Sequence, residues 1–142
     1  MGDLDEALAS FDECAATAEP DSYMSISGAG YAAIAELLLG RPRACLARAH
    51  HTIQRSHRQG NDFSSLMLAK VAAAAFAELG RPRAAAAILG RTESSPVDQV
   101  VTDRLSAALR ASLTQDDLDA ERKRGADLDM DQLVDLVAAN VD

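Results

Sequence analysis

Apolar residues recur along this chain at intervals of three and four, the period of a helix that buries one side. Leu4, Leu8, Phe11 and Ala15 share one face of a first helix, with Asp3 placed to cap it. That helix must end before Pro20, because residues ahead of a proline avoid the helical region. Met24, Tyr31, Ile34 and Leu38 mark the apolar face of a second helix, capped by Asp21 or Ser22. Leu46, Ala49 and Ile53 form the buried stripe of a third, from about Pro42 to Gln59. Gly60 can end it and Asp62 can cap the next. Leu66, Leu68, Val71, Ala72, Ala75, Phe76 and Leu79 cover so much of the fourth helix that it must be central. A short fifth helix spans Ala84 to Leu89 and closes at Gly90. After a polar connection, Ser95-Pro96 has the form of an N-cap and first helical residue. Val97, Val101, Leu105 and Ala108 continue that sixth helix on one face. Thr114 opens a seventh, with Asp116 and Asp117 in its first turn, Arg122 to Arg124 in its last and Gly125 as its stop, an order that suits the helix dipole. Asp129 and Gln132 form a capping box, with Leu128 able to staple onto Leu133. Leu133, Leu136 and Val137 then bury a final helix that should cap the stack.

Two of the breaks are the same phrase. Gly40-Arg41-Pro42-Arg43-Ala44 returns 40 positions later as Gly80-Arg81-Pro82-Arg83-Ala84. Glycine supplies the left-handed residue that stops one helix, and proline two places on suits the first turn of the next. A hinge repeated at one spacing marks a helical-hairpin repeat. The expected fold is all-α: stacked antiparallel hairpins, about seven or eight helices in a single domain over 1–142. Residues 1–90 supply the hairpins and 91–142 the capping helices. Gly2 to Ala7 aligns with the hinge phrases, yet the helix that should precede such a hinge is missing. The expectation is a piece of a longer chain, because repeats rarely begin with an open apolar face.

Charge changes this picture. The formal net charge is −8 over 142 residues, but its distribution is uneven. Residues 1–40 hold eight acids and no Lys or Arg, 41–91 hold nine basic residues and two acids, and 92–142 hold five basic and twelve acidic. Either neighbouring layers of the stack complement one another, or the middle presents a basic face to an acidic partner. Arg48, His51, Arg55 and Arg58 line up as a basic stripe on the third helix and are the candidate partner-binding residues.

Catalytic and metal chemistry find little support. Ser27-Gly28-Ala29-Gly30 invites comparison with a phosphate loop, but the required Gly-Lys pair is absent, so close helix approach explains it better. His50 and His57 share a face about 10 Å apart, too far for one zinc ion. No EF-hand pattern surrounds Asp116, Asp117 and Asp119. Cys14 and Cys45 read as buried thiols in a reducing cytosol. No groove-reading module for nucleic acid, no secretory signal and no membrane-length apolar run occurs. The expectation is a cytoplasmic, non-catalytic protein without cofactor or metal.

The hinge phrases resemble the G-x-x-x-x-A turn of tetratricopeptide repeats, although their spacing exceeds the ~34 residues usual there. That resemblance implies a right-handed α-α superhelix. From Ala32 onward the chain looks like the C-terminal helical region of large actinobacterial ATPase-containing transcriptional regulators of the LuxR type. The stretches carrying this likeness are "LLLGRPRA", "VAAAAFAELGRPRAAAAILG" and "RGADLDMDQLVDLV", with Leu118 and Ala120 standing where those regulators usually place an aromatic residue. The resemblance implies a sensor or regulatory arm. Its partner would be an upstream ATPase module of the same protein or another regulatory protein, with no direct nucleic acid contact by this segment. A free-standing adaptor or homodimerising scaffold is the alternative, and a small enzyme with a site between helices a third.

Overall fold

The computed structural model describes residues 2–142, and these form eight helices. They are α1 (Gly2–Thr17), α2 (Tyr23–Leu38), α3 (Pro42–Arg58), α4 (Asp62–Glu78), α5 (Pro82–Thr92), α6 (Gln99–Ser112), α7 (Gln115–Ala126) and α8 (Met130–Asn140). The all-helical class expected from the periodicity is therefore the class observed. Three glycines at an interval of 20 residues divide the first half: Gly40, Gly60 and Gly80, with φ of 75°, 70° and 81°. At each, the amide of the following residue reaches five residues back, Arg41 to Glu36, Asn61 to Ser56 and Arg81 to Phe76. The glycine amides bond to Leu37, His57 and Ala77. This doubled closure satisfies carbonyls that a helix end leaves unpaired, and it needs the left-handed residue that glycine provides. Arg41 and Arg81 adopt nearly one conformation (φ −116°, ψ 63° and φ −119°, ψ 58°), so the repeated phrase is a repeated geometry.

Consecutive helices pack against one another from α1 through α5. Helix α4 lies at the centre, with twelve residues buried and Phe76 wholly enclosed. Helix α6 packs on α4 and α5, and α7 lies along α5. Helix α8 contacts α3, α4 and α5, so it folds back over the middle of the array instead of closing its end.

Several local expectations are corrected. The buried face of α2 is not Met24, Tyr31, Ile34 and Leu38. It is Ser25, Ile26, Gly28, Ala29, Ala32, Ala33, Ala35, Glu36 and Leu37, while Met24 and Tyr31 are exposed. This helix packs on α1, α3 and α4, so small residues occupy its contact faces and the bulkier side chains are left outside. A Cβ on Gly28 would lie 3.0 Å from the Ala15 nitrogen and 3.1 Å from the Phe11 oxygen, which bears out close helix approach there. Asn61 caps α4 in place of Asp62, and Asp98 caps α6 in place of Ser95. Asp3 lies within α1. Ser22, Thr114 and the Asp129–Gln132 capping box act as expected.

Gly90 and Gly125 are corrected in kind. Neither stops a helix: α5 continues to Thr92 and α7 to Ala126. A Cβ on Gly90 would overlap the Arg122 carbonyl, and one on Gly125 would overlap the Ala87 carbonyl. The two helices exchange bare backbone at both points, which sets how closely α7 can lie on α5.

The two thiols differ. Cys45 is fully enclosed and burial pushes its pKa up to about 12, whereas Cys14 is half-buried. A thiol reagent at pH 8 should therefore label one cysteine per folded chain, and both after unfolding, because the thiolate is the reactive form. Two fast equivalents from the native protein would refute this.

Candidate functional site

The stripe on α3 is drawn into the fold. Arg41, Arg48 and Arg55, one heptad apart, pair with Asp5, Asp12 and Asp21 at 3.4, 2.6 and 2.6 Å. The first two pairs have the same offset of 36 residues. This is parallel register between α1 and α3, two helices separated in sequence by the hairpin partner α2. Arg48 also donates to the buried Glu36 carboxylate at 2.7 and 3.1 Å. Arg55 donates to Ser25 Oγ at 2.7 Å, and its bond to Asp21 holds that carboxyl below its usual range. Of the four stripe residues, only His51 and Arg58 remain exposed. His57, outside the stripe, pairs with Asp131 of α8 at 2.8 Å. Among the C-terminal acids, Asp117 and Glu121 reach back to Arg83 of the basic third, while Glu93 holds Arg122 and Glu121 holds Arg124 within their own third. Acidic and basic thirds thus complement one another across the layers.

One surface left without an internal partner is apolar. Helices α2 and α4, with the segment entering α6, enclose a groove of about 410 Å³. Tyr23, Tyr31 and Ile34 form one side, Phe63 and Met67 the other, and Val97 one end. Tyr23, Tyr31 and Phe63 are 68%, 53% and 59% exposed. The chain has only five aromatic residues. Three line this groove, Phe11 stacks on Tyr31 with ring centres 5.2 Å apart, and Phe76 alone sits in the core. A protein this poor in aromatics would ordinarily bury them, since each contributes a large apolar area. The only charged residue in the lining is Asp98.

A second, polar pocket of about 350 Å³ opens between α4, α6 and α7. Lys70 of α4 reaches it from an otherwise apolar run and is only 5% exposed. Periodicity alone puts Tyr31 on the core face and carries no signal for Tyr23 or Phe63; for Lys70 the available signal is a lone lysine inside a long Leu/Ala/Val run. Among the described residues no helix is long and apolar enough to cross a membrane. Comparison with descriptions of known families, with curated proteins and with solved structures returned no match for this chain.

Proposed function

We propose that this chain is a non-catalytic interaction and regulatory arm, and that the groove on α2 and α4 is where it holds a partner protein. The observation that carries this is the display of three aromatic side chains around one concave apolar surface. Exposed apolar patches of this kind mark interaction sites, and buried aromatic anchors dominate interface energies. From Tyr23 to Ile34 the groove wall runs about 16 Å, three turns of helix. It fits an amphipathic helix with apolar residues at i, i+4 and i+7. With Asp98 as the sole charge, the preferred helix carries Lys or Arg beside its apolar face. The resemblance to ATPase-containing transcriptional regulators supplies the setting, a cytoplasmic arm acting on its own ATPase module or on a regulatory partner.

The test uses a panel of amphipathic helical peptides with leucine at those positions and flanking lysines, read by fluorescence anisotropy. Phe63→Ala and Tyr31→Ala should each weaken binding at least tenfold with little change in thermal midpoint, since both side chains are more than half exposed. Self-association that both variants abolish would assign the groove to a second copy and favour the homodimerising scaffold. Unchanged peptide binding in both variants would dismiss the groove.

A further inference from the structure

We propose that the polar pocket between α4, α6 and α7 binds a small organic phosphate, with Lys70 and Arg110 as its charged contacts. This site is separate from the apolar groove and does not depend on its reading. The Lys70 ammonium has three protons to donate, and it meets the Glu93 and Ser95 carbonyl oxygens at 3.3 Å each. Both distances are long for bonds from a charged donor, which are usually 2.7–2.9 Å. The one nearby carboxylate, Glu93, is engaged by Arg122, whose Nε lies 2.6 Å away. A buried ammonium is thus left with two neutral acceptors and no counter-ion of its own. Burial lowers the pKa of Lys70, and the Glu93 charge opposes that shift.

Holding carbonyls at the end of α5 explains why a cation is tolerated there. It leaves the third proton and the adjoining cavity without a role. Arg110 on α6 faces the same cavity, is exposed, and has no acidic partner among the described residues. Thr102 and Ser106 add hydroxyls one helical turn apart. The lining therefore holds three cations against one carboxylate, in a chain whose net charge is −8. Leu89, Leu109 and Leu118 complete the lining with apolar surface. Several donors lining one cavity suit a phosphate, whose three terminal oxygens accept more bonds than a carboxylate's two. The leucine surface suits a compact apolar body attached to it.

The experiment is calorimetric titration of the full chain with phenyl phosphate at fixed ionic strength, beside inorganic phosphate. Saturable binding of one equivalent is expected, at least tenfold tighter for phenyl phosphate than for inorganic phosphate. Arg110→Glu changes an exposed position, should leave the unliganded thermal midpoint unchanged, and should lower affinity at least tenfold. Lys70→Met, close in shape and apolar, should do the same. No saturable heat, or equal affinity in Arg110→Glu and the parent, would overturn the site. Equal affinity for inorganic phosphate would overturn the organic ligand.

Discussion

Alanine at position 125 is expected to destabilise this protein by about 3 kcal/mol, at the upper end of what overpacking usually costs. The direction opposes helix propensity, which favours alanine over glycine by about 1 kcal/mol inside a helix. Packing wins because the added methyl would overlap the carbonyl of Ala87, a backbone atom with no rotamer to escape into. Helix α7 would have to lift from α5, opening a gap beside Ala87, which is fully enclosed. Gly90→Ala presents the mirror case against the Arg122 carbonyl and should behave alike. In a thermal melt the shift should be about 10 °C downward, given about 2–4 °C per kcal/mol for a domain of this size. A Gly125→Ala protein as stable as the parent would show that this pair of glycines does not set the helix spacing.

The second large effect is expected from Arg48→Glu. On sequence alone Arg48 belongs to the candidate partner-binding stripe; in the structure it is paired with Asp12 and Glu36, so its reversal also acts on the fold. Glu36 has a side chain only 8% exposed and depends on Arg48 for its counter-charge. Removing one member of a buried pair strands the other, at about 3–5 kcal/mol, and the new carboxylate adds repulsion toward Asp12. Arg48 itself is 27% exposed, so the lower part of that range applies, about 3 kcal/mol by urea denaturation. A control separates charge from shape. Arg48→Met combined with Glu36→Gln should recover most of the loss, because no charge then remains unpaired. An Arg48→Glu protein with unchanged midpoint, or a double variant no better than Arg48→Met alone, would refute the pairing as a stabilising contact.

Most of the helix order was legible because its signals are local. A glycine followed by proline two places on, a serine or threonine ahead of an apolar run, and an Asp-x-x-Gln box each act within one turn. They located both hinges, the caps at Ser22 and Thr114, and the start of α8. What was not legible depends on residues far apart in sequence. Gly60 and Gly90 look alike in a string of letters, yet one is needed for its backbone angle and the other for its missing side chain. The stripe on α3 could be drawn from periodicity, but its partners Asp12 and Asp21 lie more than 30 residues away. The groove was hidden for a similar reason. Tyr31 falls at an apolar position of α2, and only the packing of small residues on the helix's other faces shows that it points outward.

Helix α1 has no fully buried residue. It is held by a half-buried apolar face against α2 and by ion pairs whose acidic members are about half exposed. Such pairs weaken once the screening length, about 8 Å at physiological ionic strength, contracts further with added salt. Elements held this way open locally long before the core does. Phe11 of α1 is the ring that braces Tyr31 at the wall of the groove. The first helix thus backs the groove wall through one aromatic stack, and added salt is expected to loosen its ion pairs with Arg41 and Arg48 while its apolar seat on α2 remains.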